Sequence, residues 1–207
     1  MHHGRLSSSR AMAAALLSLV AIRHGETTLN AVGRLTGQLD PPLTARGRAQ
    51  AAALAPVVAG AFDLRMHSGT RRAAETLRIA CDAAGLHGVE LVGDPCWRER
   101  SFGTLEGQPS SAWSQPADLD AAPPGGESYR ALAHRILAAL DALAAAGAQQ
   151  RVLLCAHSGV LRMLAAIAAD APDVAAILGP STRNGEALEL TYAAPTMPRF
   201  LASSATS

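Results

Sequence analysis

Apolar and polar positions fall into alternating short and long runs along the chain, and these runs predict strands alternating with helices. Leu19-Val20-Ala21-Ile22 is a continuous apolar, partly β-branched run that breaks off at Arg23-His24-Gly25. That is the pattern of a strand buried on both faces that delivers polar side chains to a sheet edge. Gly25 permits a tight turn there and a close approach of backbone to a ligand. Residues 30–42 read as a Gly-rich loop closing on Pro41-Pro42. Thr44 then serves as an N-cap for a helix running to about Val58. Phe62 to Met66 is a short strand candidate. Thr70 caps a helix from Arg71 to about Ala84, stopped by Gly85, and Val89 to Val92 is another short strand.

Cys96 to Gly107 is compact, polar and irregular, and Gln108 to Gly126 is a Pro-, Ser- and Ala-rich excursion that reads as a short lid. Ser128 to Ala146 is the clearest amphipathic helix, with Leu132, Ile136, Leu140 and Leu143 on one face. Arg151 to Ala156 is a second strongly apolar strand, and it ends in His157-Ser158-Gly159. A helix follows from Val160 to about Ala169, and Glu186 to Tyr192 alternates as a last strand. This order predicts an α/β domain, a three-layer α/β/α sandwich with a mostly parallel central sheet, over residues 16–193. Residues 1–15 read as a disordered leader and 194–207 as a frayed tail. In such sheets ligands bind beyond the carboxyl ends of the strands. Both His24 and His157 sit at that kind of position.

Composition narrows the chemistry. The 207 residues are 49% hydrophobic and 17% charged, enough to bury a sizeable core. A net charge of +1 gives no general reason to expect nucleic acid or an anionic membrane as partner. All 18 basic residues are Arg; with no Lys there is no P-loop and no Schiff-base chemistry. Cys81, Cys96 and Cys155 are widely spaced and form no Cys-x-x-Cys, so neither a disulfide framework nor a zinc site is indicated. Arg5 and Arg10 before Ala11–Leu19 look faintly like a signal peptide, but cleavage after that run would remove part of the strand carrying Arg23-His24. A cytoplasmic protein is therefore expected. A homodimer face and Ala-rich helices account equally well for the apolar content.

Two chemistries are set aside. Val152 to Val160 resembles the strand–Ser–helix elbow of a serine hydrolase, but that fold places its catalytic His after the Ser, and no histidine follows His157. Metal ligation lacks a His-Glu-x-x-His, a carboxylate-rich loop or a Cys/His cluster, so no metal and no cofactor are expected. His2, His3, His87 and His134 have bland explanations, and His67 beside the Ser68 turn reads as structural.

What remains is Arg23, His24, Arg72, Glu99 and His157. Two arginines can grip a phosphoryl group bidentately and polarise it. A cationic neighbourhood keeps an imidazole neutral and nucleophilic. A nearby carboxyl group can protonate a departing alkoxide and then, as carboxylate, activate water.

These residues carry a resemblance. Arg23-His24-Gly25-Glu26-Thr27 with Asn30 is similar to the Arg-His-Gly signature of the histidine phosphatase family, also called phosphoglycerate-mutase-like. The similarity continues in order through Thr36-Gly37, Pro42-Leu43-Thr44, Gly47, and Ser68-Gly69-Thr70-Arg71-Arg72-Ala73 with Thr76. It then runs through Arg98 to Gly107, Gly126-Glu127-Ser128 and Ala156-His157-Ser158-Gly159. The resemblance implies that His24 is the nucleophile that becomes phosphohistidine and that Glu99 is the proton donor. It implies that Arg23, Arg72 and His157 hold the phosphate, and that Asn30, Thr36, Gly37, Arg100 and Ser158 contact phosphate or substrate. Ser158 departs from the commoner Gly after the second histidine.

The family contains hydrolases and mutases. Phosphoglycerate mutases of this kind carry a long Lys/Arg-bearing insertion before the Gly-Glu-Ser block. Here 108–125 is short, has no basic residue and carries Asp118 and Asp120, which favours a water-open phosphatase. Arg100 is the one mutase-like feature. The expected partner is a small phosphomonoester, with sugar phosphates, phosphoglycerate derivatives, nucleotides and α-ribazole phosphate all open. The alternatives are a cofactor-dependent phosphoglycerate mutase and a non-catalytic phosphate-binding protein of the same fold.

Overall fold

In β1 (Leu16–Arg23) and β4 (Arg151–Ala156) the side chains are apolar on both faces, and both strands lie inside a five-stranded sheet. The strand order is β3-β2-β4-β1-β5, with β2 at Leu64–His67, β3 at Val92–Gly93 and β5 at Ala187–Ala193. All neighbouring pairs are parallel except β1 with β5. The computed structural model describes residues 16–114, 118–147, 149–171, 177, 182–194 and 197–202. The leader over 1–15 and most of the tail lie outside the described residues.

The period of two sorts the strand residues between two cores. Leu17, Leu19 and Ala21 of β1, with Val152, Leu154 and Ala156 of β4, pack under α5 (Tyr129–Ala146) and α6 (Ser158–Ala168). Val20, Ile22, Leu153 and Cys155 point the other way, against Val58 of α3 (Ala55–Val58) and Ala73, Leu77, Ala80 and Cys81 of α4 (Arg71–Ala83). A sheet covered on both faces by helices is the expected three-layer α/β/α arrangement. Among the described residues no helix is long and apolar enough to cross a membrane.

Several elements differ in detail from the sequence expectation. The single helix predicted to reach Val58 is two: α2 (Ala45–Ala53) ends at Leu54, and Pro56, which cannot donate to the ladder, sits in the first turn of α3. Part of the predicted loop, Thr28–Ala31, makes one helical turn, α1, held by a reciprocal cap between Thr27 and Asn30. The strand predicted at Val89–Val92 pairs only at Val92 and Gly93. Helix α6 starts at Ser158 rather than Val160. Thr70 does not cap α4 with its side chain; the carboxylate of Asp40 does, accepting from Arg71 N at 2.5 Å and Arg72 N at 3.2 Å. At Gly25 the backbone closely approaches α2. A Cβ there would overlap the Gly47 carbonyl, and one at Gly47 would overlap Glu26, so the two glycines let the loop after β1 lie against α2. A last turn, α7, covers Arg199–Ala202.

Candidate active site

The sheet itself brings the two histidines together. β1 and β4 are parallel neighbours in register, Arg23 opposite Ala156, and His24 N–H donates to the Ala156 carbonyl at 3.1 Å. Each strand ends at that pair and a histidine is the next residue, so the rings of His24 and His157 meet edge to face at 5.1 Å between centroids. Both are buried, His24 at 4% exposure and His157 at 0%.

The ring protons follow from the partners. His24 Nδ1 lies 2.7 Å from the Gly25 carbonyl, which can only accept, so Nδ1 carries the proton and Nε2 keeps its lone pair. Burial, then the Arg72 charge, hold the His24 pKa down to about 3, against a smaller upward effect of the Gly25 bond. The ring is therefore neutral near pH 7. His157 Nδ1 lies 3.2 Å from Arg72 Nη2, which can only donate, so its proton is on Nε2, and this donates to Ser68 Oγ at 2.7 Å. Ser68 Oγ continues to Thr70 Oγ1 at 3.0 Å. Burial, followed by Arg72, His24 and Arg23, pushes the His157 pKa well below its usual value.

Arg72 is 1% exposed and spends its terminal nitrogens on protein. Nη1 donates to the carbonyl of Leu39 at 2.6 Å and to Asp40 Oδ1 at 3.2 Å, and Nη2 donates to Gly37 O at 3.0 Å. Its Nε is buried with no partner. Arg23 Nη1 donates to the carbonyl of Thr182 at 2.8 Å.

Glu99 stands at the start of α6. Its Oε1 accepts from Arg100 N at 2.8 Å, and both oxygens lie 3.1 Å from Gly159 N–H. A helix N-terminus holds a carboxylate in this way through its free amides and the positive end of its dipole. Gly159 is required for the contact, because a Cβ at that position would overlap Glu99 Oε1. Gln38 Nε2 donates to the Glu99 carbonyl at 2.5 Å.

Arg23 and Glu99 line a cavity of about 300 Å³ together with Arg100, Phe102, Trp113, Tyr129, Ser158, Gly159 and Arg162. Arg100 is 2% exposed and lies over the faces of Tyr129 at 4.3 Å, Phe102 at 4.7 Å and Trp113 at 6.0 Å, where the ring quadrupoles attract a cation.

Not every sequence-derived site residue faces this cavity. Ser158 lines it. Asn30 Oδ1 is committed to the Thr27 backbone and hydroxyl, and its Nδ2 reaches Thr36 Oγ1 at 3.5 Å. Gly37 offers its carbonyl to Arg72. Asn30, Thr36 and Gly37 belong to the loop whose carbonyls and Asp40 hold Arg72. Sequence reasoning passed over Asp40, whose partners are 31 and 32 residues away, and Arg162, a lone cation inside the apolar run of α6 that was the available signal. His67 Nδ1 accepts from Gly69 N at 3.1 Å, consistent with a structural role. Among the described residues no group of three or more His, Cys, Asp or Glu could hold a metal ion.

Residues 19–194 match the histidine phosphatase superfamily (branch 1). The chain belongs to that superfamily. A 2,3-bisphosphoglycerate-dependent phosphoglycerate mutase of Rhizobium rhizogenes is 33% identical over 162 residues, 71% of this chain and 77% of the mutase. A metal-independent phosphoserine phosphatase of Arabidopsis thaliana is 34% identical over 166 residues, 70% of this chain and 66% of that protein. Among solved structures, the mycobacterial glucosyl-3-phosphoglycerate phosphatase in complex with VO3 superposes with a TM-score of 0.74 at 29% identity, over 83% of this chain and 91% of that one. Membership of the histidine phosphatase family, with a mostly parallel central sheet, is what the ordered motifs implied.

Proposed function

We propose that the protein hydrolyses small phosphomonoesters without a metal, through a phosphohistidine on His24. The observation that carries the reading is the His24 ring: buried, neutral, with its proton fixed on Nδ1 by Gly25 and its Nε2 lone pair available. In the first step Nε2 attacks phosphorus and the P–O bond to the alcohol breaks. Glu99, protonated, gives its proton to the departing oxygen. In the second step the Glu99 carboxylate takes a proton from water, whose oxygen attacks phosphorus. The P–N bond breaks, and phosphate and neutral His24 are released. Arg23 and Arg72 neutralise the phosphoryl oxygens. His157 holds Arg72 and the edge of His24.

The short lid and the absence of basic residues in 108–125 favour water over a second substrate as phosphoryl acceptor. Turnover of p-nitrophenyl phosphate should persist in EDTA and fall at least about a thousandfold in His24→Ala. Full activity in that variant, or loss in EDTA, contradicts the mechanism.

A second reading, phosphoglycerate mutase, is favoured by Arg100 buried at the cavity wall and by the name of the Rhizobium rhizogenes relative. Incubating 3-phosphoglycerate with 2,3-bisphosphoglycerate as primer separates the two. Release of inorganic phosphate supports the phosphatase, and 2-phosphoglycerate formation supports the mutase.

A further inference from the structure

The cavity beside Glu99 holds more positive charge than a phosphoryl group alone uses. Of its four charged lining residues three are arginines, Arg23, Arg100 and Arg162, against one carboxylate, Glu99. The hydrolytic reading assigns the transferred phosphoryl group to Arg23 and Arg72, which leaves Arg100 and Arg162.

Arg162 is half-buried one helical turn beyond Ser158, so the two share a face of α6 with Gly159 beside them. Among the described residues its guanidinium makes no hydrogen bond and no ion pair, and its Nε is fully enclosed. Burial lowers the Arg23 pKa, the Glu99 charge acts against this, and the Arg162 charge lowers it further, so Arg162 lies close enough to Arg23 for the two cations to repel each other. A second wall residue, Trp113, buries its indole N–H without an acceptor. Arg100 has its cation over three aromatic faces, with one guanidinium bond at 3.2 Å, to the Glu127 carbonyl. Arginine and indole nitrogens can only donate. A buried donor or cation left unmatched is costly, and the chemistry that relieves all of these at once is an acceptor-rich anion.

Resting on the proposed phosphomonoester chemistry, we infer that Arg162, with Arg100 and the Trp113 N–H, forms a second anion subsite that selects substrates whose alcohol portion carries its own anionic group, a carboxylate or a further phosphate. Arg162 is the specificity-determining residue of this subsite. A cavity of about 300 Å³ accommodates a leaving group of a few carbons.

Unreactive phosphonates test this independently of turnover. Calorimetric binding of butylphosphonate, 4-phosphonobutanoate and butane-1,4-diyl bisphosphonate is measured on the wild type, Arg162→Gln and Arg162→Lys, each checked for native circular dichroism. At least one anionic-tailed ligand should bind the wild type about tenfold or more tightly than butylphosphonate, the gain expected of one charge-assisted pair. Which of the two gains assigns the tail as carboxylate or phosphate. Arg162→Gln should erase most of that advantage, and Arg162→Lys should keep part of it. Equal affinity for all three ligands, no binding of either anionic-tailed ligand, or an advantage that survives Arg162→Gln overturns the inference. Failure of the wild type to hydrolyse p-nitrophenyl phosphate sinks the phosphatase reading alone and leaves the binding result to stand on its own.

Discussion

Because a carbonyl oxygen can only accept, the 2.7 Å contact from Gly25 fixes the tautomer of His24, and burial beside Arg72 fixes its charge state. Nitrogen NMR of His24 should show an unprotonated Nε2 and no titration between pH 5 and 8; a midpoint near 6.5 contradicts the geometry. Glu99 depends in the same way on one neighbour. Its carboxylate rests on the Gly159 amide, where any Cβ would intrude. Gly159→Ala should therefore displace the proton donor while leaving His24 and Arg72 in place. Alkyl phosphates, whose leaving groups need protonation, should lose about a hundredfold in kcat, and p-nitrophenyl phosphate about tenfold or less. Equal losses on both substrates would remove Glu99 from the role of acid. As candidates, His24 and His157 were legible at the ends of apolar strands, and Glu99 through the resemblance of the block that carries it. The dependence of Glu99 on Gly159 was not, because it joins residues 60 positions apart through a backbone amide.

At the scale of elements, apolar runs located β1, β4, α4 and α5 to within a few residues, since each buries a face whose period shows in the sequence. The misses have local physical causes. Pro56 splits a helix that apolar content alone would continue. The cap of α4 comes from a distant loop: Asp40 takes two amides that Thr70, bonded to Ser68, leaves unmatched, and it also pairs with buried Arg72. Nothing near Arg71 in the sequence announces this. Asp40→Ala should lower stability by about 1–3 kcal/mol, through the lost cap and the lost ion pair, with Arg72 still held by the carbonyls of Leu39 and Gly37. Thr70→Val should cost less, and denaturant midpoints of the two variants check the order. If Thr70→Val is the more damaging, the cap has been misassigned.

For the whole molecule, two neutral, buried histidines at the ends of β1 and β4 tie stability to pH. Both have folded pKa values below the unfolded value of about 6.5, so the unfolded chain binds protons that the native state refuses. Their contribution is complete above that pH and is lost as pH falls through the window toward the His24 value of about 3, at about 2 kcal/mol for His24 by pH 5, with His157 acting in the same direction. Urea unfolding of wild type and His157→Asn at pH 7 and pH 5 should show the variant losing less on acidification, and an equal or greater loss in the variant contradicts the linkage. The same parallel register that buries the rings also sets them edge to face, so fold and chemistry share one origin in the pairing of β1 with β4. The most direct test of the central claim is to quench turnover in alkali, where phosphohistidine survives, and to locate the phosphoryl group by mass spectrometry. An acid-labile phosphate on His24, absent from His24→Ala, is the predicted result. Turnover with no phosphorylated His24 at any time, or with the phosphoryl group on another residue, contradicts it.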